Sequence, residues 1–175
     1  MGASQQSQTS ETHATTRGNG LIDRIDIRDA DIAARILELQ RESYALEAAL
    51  IGFDGIPMLH ESLEALRGSP DTFYAFRIDG RIAGALSSER AGDMLTICRL
   101  VVDPGSFRRG IGRGLVEHVM AEHADASVFE VSTGTRNTPA VSLYRSLGFE
   151  EIGRREIAPA VFVTRFEKRV ARKVL

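Results

Sequence analysis

Apolar and polar residues alternate from Leu21 to Ile27, where Ile25 and Ile27 are set against Arg24 and Asp26, the period of a half-buried strand. The period then changes. Asp29 and Asp31 supply a helix start, and Ile36, Leu39, Leu46 and Leu50 recur at roughly helical spacing with Glu38 and Glu42 on other faces, predicting a helix that ends near Gly52. Phe53 to Pro57 reads as an irregular loop, after which Leu59, Leu63 and Leu66 mark a short helix closed by Gly68 and Pro70. Thr72 to Ile78 and Arg81 to Ser88 flank Asp79-Gly80, the strongest short-range hairpin signal in the chain, and predict two antiparallel strands. A turn at Ala91-Gly92-Asp93 leads into a third, apolar strand with Leu95, Ile97, Leu100, Val101 and Val102.

Beyond this antiparallel meander the order of elements changes. Ile111, Leu115, Val116, Val119 and Met120 share one side of a helix from about Gly110 to His123, and the next strand is Val128 to Thr133. Strand, helix, strand predicts a parallel pair with a right-handed crossover. The following helix is fully punctuated, with Asn137 or Thr138 as cap, Pro139 in the first turn, Ala140, Leu143 and Leu147 inward and Gly148 just past its end. Glu150 to Glu156 and Ala160 to Phe166 close the chain as an antiparallel strand pair.

With 175 residues, of which 43% are hydrophobic and 26% charged, the chain predicts one globular domain able to bury its core without disulfides or structural metal. A net charge of -2 carries no global signature of nucleic-acid binding. Basic residues are local instead, at Arg108, Arg109 and Arg113 and from Lys168 to Lys173. The single cysteine, Cys98, excludes an internal disulfide framework and fits a reducing compartment. There is no apolar run of the roughly 18 residues a membrane span needs. Residues 1–20, rich in Ser, Thr, Gln and Gly, are expected to form a disordered tail, leaving 21–175 as the folded domain. The tail lacks the apolar centre of a secretion signal, so a cytoplasmic location is expected.

Arg108-Arg109-Gly110-Ile111-Gly112-Arg113-Gly114 opens a helix directly after an apolar strand. Glycines let the backbone approach a ligand, first-turn amides have no intrahelical partners, and the helix dipole favours negative charge, so a phosphate or pyrophosphate fits there. Two well-known phosphate loops fail on spacing. A dinucleotide fingerprint starting at Gly110 and Gly112 needs a third glycine where Leu115 stands, and a triphosphate loop starting at Gly105 and Gly110 needs Lys-Ser or Lys-Thr where Ile111 and Gly112 stand. What remains is a strand-loop-helix anion site of another kind, or a glycine-bearing helix start with a solvated arginine pair.

A second segment, Asn137-Thr138-Pro139-Ala140-Val141-Ser142-Leu143-Tyr144-Arg145-Ser146-Leu147-Gly148-Phe149, follows the next parallel strand. With the first, it resembles the GNAT superfamily of acetyl-coenzyme A-dependent N-acetyltransferases, and the likeness covers Leu21 to Lys168 in element order as well as in both motifs. Asn-x-x-Ala-x-x-Leu-Tyr-x-x-x-Gly-Phe is the more selective motif. The resemblance implies an α+β fold layered α/β/α, with a mixed central sheet of about six to seven strands, a splayed parallel pair and flanking helices. It implies acetyl-coenzyme A as cosubstrate and no metal. Backbone amides of Gly110, Ile111 and Gly112 would hold the pyrophosphate, with Arg108, Arg109 and Arg113 adding charge. The strand edge at Leu100, Val101 and Val102 would pair with the pantetheine arm, and an amide near Val101 or Val102 would polarise the thioester carbonyl. Asn137 would contact the pantetheine or fix the loop, with Ala140 beside it in the cofactor-binding motif. One departure stands out: members usually carry Gln or Arg where this chain has Phe107.

The reaction so implied is direct attack of a neutral amine on the thioester, through a tetrahedral intermediate that expels a thiolate. Tyr144 matches the position that protonates departing coenzyme A, and a phenol suits that task because it is protonated at neutral pH. Glu89 and Glu130 on strands and His60 at the substrate-side helix are candidate bases, as is a chain of water. Cys98 reads as a small buried apolar residue rather than a nucleophile, since its motif holds no histidine. His118 and His123 are spaced so that one helix face does not present both, and no metal role is expected. The expected acceptor is a primary amine of a small molecule or protein, with no nucleic-acid or membrane partner and with homodimerisation frequent among similar proteins. Asp54, Glu61 and Glu64 could attract a cationic amine, or simply answer a helix dipole. The rival readings are an acyl-coenzyme A-binding sensor or scaffold without turnover, and transfer of a longer acyl group.

Overall fold

The computed structural model describes residues 15–17 and 20–171. Their elements run β1 (Thr15–Arg17), β2 (Gly20–Ile25), α1 (Ala30–Ile51), α2 (Leu63–Arg67), β3 (Thr72–Ile78), β4 (Arg81–Ala91), β5 (Met94–Val102), α3 (Ile111–Glu122), β6 (Val128–Gly134), α4 (Thr138–Ser146), β7 (Glu150–Ala158) and β8 (Val161–Arg169), with 3-10 turns at Pro57–His60 and Pro104–Ser106. The tail expected over 1–20 is corrected at its end, because Thr15–Arg17 pair antiparallel with β2 as a short edge strand and Gly20 already belongs to β2. Residues 1–14 lie outside the described residues.

Local chemistry sets the element boundaries. Asp29 caps α1, its carboxylate accepting the amides of Asp31 and Ile32 at 3.0 Å each. Asp79 and Gly80 both take positive φ, 49° and 77°, as a tight turn between twisted strands requires, and they join β3 to β4. Asn137 caps α4, accepting the Ala140 amide, and Pro139 sits in the first turn.

The eight strands form one sheet in the order β1-β2-β3-β4-β5-β6-β8-β7, antiparallel throughout except for the parallel pair β5 and β6. Seven of them make the mixed sheet anticipated from the sequence, and β1 adds the short edge. Helices cover both faces. Tyr74 and Phe76 pack with Ile111, Leu115 and Tyr144 of α3 and α4, while Phe73 and Ala75 pack with Ile36, Leu39 and Leu66 of α1 and α2, so the alternation along β3 feeds two separate cores.

In β5 that alternation changes phase. Leu95 and Ile97 lie on the α3 side, yet so do Leu100 and Val102, whereas Val101 turns to the α1 side. The cause is a bulge: Ser87 of β4 pairs with Arg99 and Ser88 with Ile97, leaving Cys98 without a counterpart. Pairing with β6 ends at the same place, the last matched residues being Ile97 and Val131.

Gly84 of β4, opposite Val102, lets α3 settle on the sheet. A Cβ there would stand 2.6 Å from Ile111 Cγ2 and 3.2 Å from the Val101 carbonyl oxygen. Gly84→Ala is expected to destabilise the fold by about 1–3 kcal/mol through overpacking, read as a lower urea midpoint at unchanged slope.

Candidate functional site

Beyond Ile97 and Val131 the two parallel strands separate, and a cavity of about 370 Å³ fills the opening. Its walls include Cys98 and Leu100 of β5, Thr133 and Gly134 of β6, and Asn137 and Ala140 at the start of α4. From Arg99 to Val102, β5 pairs with β4 on one side alone. Its other edge is a row of backbone amides and carbonyls aimed into the opening, a template for an extended amide chain.

That edge leads to the start of α3. A Cβ on Gly112 would meet Leu100 Cδ2 at 3.7 Å, Val102 Cγ2 at 3.8 Å and Leu143 Cδ2 at 3.4 Å, so the first turn of α3 lies against both the free strand and α4. The first α3 hydrogen bond runs from the Gly114 amide to the Gly110 carbonyl at 2.9 Å. The amides of Ile111, Gly112 and Arg113 therefore have no intrahelical acceptor. Gly110 caps the helix with φ 75° and no side-chain bond, and Arg108 before it also has positive φ, 62°. Open space surrounds Gly110, so an anion can reach these amides.

The structure separates side chains that the sequence groups together. Ile111 and Val101 are core residues, each 2% exposed, and only their backbone is available to a ligand. Arg108 is exposed at the helix mouth. Arg109 faces a separate hollow of about 470 Å³ with Arg35, Arg81 and Asp103. Arg113 is already engaged, donating to the Ser146 hydroxyl and pairing with Glu117 at 3.6 Å. Phe107 is 49% exposed beside the arginines.

Asn137 is committed to its loop: Oδ1 accepts the Ala140 amide and Nδ2 donates to Thr133 Oγ1, each at 3.3 Å. Tyr144 is 3% exposed, edge-on to Phe149 with ring centroids 5.7 Å apart and tilted against Phe166 at 6.0 Å. Burial first, and then the charge of Glu47, push its phenol above the usual tyrosine range, so it keeps its proton at neutral pH.

The opposite wall comes from α1 and the segment after it. Tyr44 and Glu47, one turn apart, face the cavity together with Phe53, Ile56 and Met58. Glu47 Oε1 accepts both the Gly134 amide and the Thr133 hydroxyl at 3.2 Å. Arg99, the residue after the bulge, is tied to Asp71 and to Glu61 at 2.9 Å, and it also donates to Ser87. Gln40 donates to the other Glu61 oxygen at 2.7 Å and to the Met58 carbonyl at 2.8 Å. Glu61 is thus spent on Arg99 and Gln40 rather than free to attract an amine. Tyr44, Glu47 and Arg99 escape a motif search, and their only trace in the sequence is a polar residue at a position the helical or strand pattern would bury.

The three side-chain bases considered from sequence stand off the cavity wall. Glu130 pairs with Arg165 at 3.0 Å, Glu89 is exposed on β4, and exposed His60 is bonded through Nε2 to the Asp54 carbonyl at 2.7 Å. His118 and His123 do meet around one side chain, contrary to their helical spacing, because His123 lies past the end of α3. His118 stacks edge-on to Tyr74 at 5.8 Å, and the Tyr74 hydroxyl lies 3.1 Å from His123 Nε2 while donating to Glu122 at 2.8 Å. Among the described residues no group of three His, Cys, Asp or Glu side chains is placed to hold a metal ion, and no helix is long and apolar enough to cross a membrane.

Residues 33–149 match the acetyltransferase (GNAT) family. The chain is 40% identical over 154 residues to the UPF0157 protein YqkA of Bacillus subtilis, covering 88% of this chain and 45% of that protein. It is 35% identical over 75 residues to the ribosomal protein bS18-alanine N-acetyltransferase of Escherichia coli K12, covering 42% of this chain and 51% of that one. It thus spans about half the length of these curated relatives. The fold matches the crystal structure of the Escherichia coli ribosomal-protein-S18-alanine N-acetyltransferase with a TM-score of 0.69 at 18% identity, over 89% of this chain and 98% of that one. The PaiA N-acetyltransferase of Thermoplasma acidophilum, solved with coenzyme A, matches with a TM-score of 0.67 at 18% identity, over 87% and 100% of the two chains.

Cys98 lines the cavity, yet burial above all, with the carboxylates of Asp71 and Glu89, pushes its thiol up to about 11. Only the thiolate is nucleophilic, so alkylation by iodoacetamide at pH 8 is expected to be about 100-fold slower than for an ordinary protein thiol. The rate should climb about tenfold per pH unit until the thiol titrates, and a fast reaction at pH 8 would contradict this burial.

Proposed function

Because the chain belongs to the GNAT acetyltransferase family, we propose that it transfers the acetyl group of acetyl-coenzyme A to a primary amine of a small molecule or protein. The observation that carries this reading is the split parallel pair, whose unpaired β5 edge runs from the cavity to the uncapped amides of α3. An extended pantetheine arm fits that edge by backbone pairing, and its pyrophosphate fits the amides of Ile111, Gly112 and Arg113. Arg108 is the side chain best able to add charge, since Arg113 is engaged and Arg109 faces another hollow. Because this grip is mainly backbone, Phe107 in place of a polar residue does not disable it.

The acetyl carbonyl would then lie in the opening, within reach of the free amides of β5, which stabilise negative charge on its oxygen as the amine attacks. Tyr144, held protonated, donates to the departing sulfur. Two relatives bracket the acceptor: one is named for an alanine of a ribosomal protein, and another, 36% identical over 86 residues, is named a streptothricin acetyltransferase. The first name supports an amine acceptor on a protein, and the second an acetyl acceptor other than a ribosomal protein.

Saturating acetyl-coenzyme A or coenzyme A, at about 100 times the dissociation constant, is expected to stabilise the native state by about 2.7 kcal/mol. That corresponds to a rise in melting temperature of about 5–10 °C, with little shift from adenosine triphosphate. No shift would overturn the cofactor assignment. Tyr144→Phe, which keeps the ring contacts, is expected to lower kcat about 100-fold in a thiol-release assay with coenzyme A affinity unchanged. Full turnover with retained binding would sink the acid role and leave a passive phenol.

A further inference from the structure

The acetyl-transfer reading assigns the leaving sulfur its acid in Tyr144, but an amine acceptor arrives as an ammonium ion and has no lone pair until it loses a proton. Among the described residues Glu47 is the only carboxylate on the cavity wall. It sits where α1 packs tightly on the end of β6: a Cβ on Gly134 would stand 2.5 Å from Ile51 Cγ2 and 3.4 Å from Glu47 Oε1. Two donors hold Oε1, the Gly134 amide and the Thr133 hydroxyl, which fixes the carboxylate while Oε2 makes no hydrogen bond to any described residue. Two arginines share its wall, Arg99, which is taken by Asp71 and Glu61, and the exposed Arg155, and neither is ion-paired to Glu47. Its charge is felt by the phenols on either side, adding to the burial that raises both Tyr44 and Tyr144.

Resting on the acetyl-transfer reading, we propose that Glu47 is the catalytic base of this enzyme, taking the proton of a cationic primary amine through its free oxygen and selecting such amines over neutral acceptors. The acceptor R–NH3+ gives one proton to the Glu47 carboxylate. The lone pair of R–NH2 then forms the C–N bond to the thioester carbonyl carbon. As the carbonyl reforms and the C–S bond breaks, the nitrogen gives its second proton to water and the sulfur takes the Tyr144 proton. The proton on Glu47 leaves through solvent and the phenol regains one, so each acetyl transferred releases one proton. Carboxylate and phenol thus divide the proton traffic, one at the nitrogen and the other at the sulfur.

Glu47→Gln tests this, because the carboxamide oxygen can still accept from Gly134 and Thr133 while the base is gone. Turnover is compared between phenylethylamine or benzylamine, which are ammonium ions at pH 7.5, and phenylhydrazine, which is largely neutral there. The variant is expected to lose about 100- to 1,000-fold in kcat with the cationic amines and less than about threefold with the neutral one. Calorimetric affinity for coenzyme A should be unchanged. Equal losses with both acceptor types would reduce Glu47 to a packing role, and no loss with either would remove it from the reaction. In both cases the acetyl-transfer reading survives, since wild-type turnover is intact. A wild-type protein that binds coenzyme A and acetylates none of these amines would overturn the base role together with the transfer reading.

Discussion

Cys98 has no partner residue on β4, and the cleft exists because of it. A bulge adds twist and bends the strand that carries it. Here the bend coincides with the last rung between β5 and β6, so a parallel pair that would otherwise continue to the ends of both strands opens after Ile97 and Val131. Backbone groups that a sheet would normally pair are left facing an opening, and unpaired backbone in a protein interior needs a partner. A ligand with regularly spaced amides supplies one. The phase change also decides which side chains line the route, turning Val101 into the α1 core and Leu100 and Val102 toward α3.

The opening stays defined because its two sides are fastened by different means. On the α3 side the fastening is close packing, with Gly84 admitting Ile111 and Gly112 admitting Leu100, Val102 and Leu143. On the α1 side it is polar. Arg99, immediately after the bulge, holds Glu61 and Asp71, and Gln40 holds Glu61 and the Met58 carbonyl, so β5 is tied to the segment after α1 that walls the cavity. Burying such ions is costly unless most of their hydrogen-bonding capacity is used, and this network uses both Glu61 oxygens and both terminal nitrogens of Arg99. Its second effect is electrostatic, since an arginine so occupied makes no ion pair with Glu47, the carboxylate on the same wall.

Much of the fold was legible in the residue order because its determinants are local. Asp29, Asp79-Gly80, Asn137-Thr138-Pro139 and Gly148 act within a few residues of themselves, and the strand-helix-strand order from β5 to β6 follows from period alone. The uncapped start of α3 was legible for the same reason, since free amides at a helix start follow from local sequence. Tyr144 and Asn137 were reached through a motif, and Asn137 bonds Thr133 and the Ala140 amide while lining the cavity.

The α1 side of the cleft was decided by tertiary structure. Glu47 lies 86 residues from Thr133 in the chain and Arg99 lies 38 from Glu61, and no local pattern encodes pairings at that distance. The bulge was hidden because Leu100, Val101 and Val102 read as one apolar run, in which a change of face leaves no mark. Nor could sequence tell a free arginine from an engaged one, as Arg108 and Arg113 illustrate. The chain by itself determined which segments become helices and strands and where a helix starts with uncapped amides, because backbone preference, capping and period act over a few residues. Where the sheet opens, and which carboxylate faces the opening, depend on packing α1 against the ends of β5 and β6, which only the assembled fold brings together.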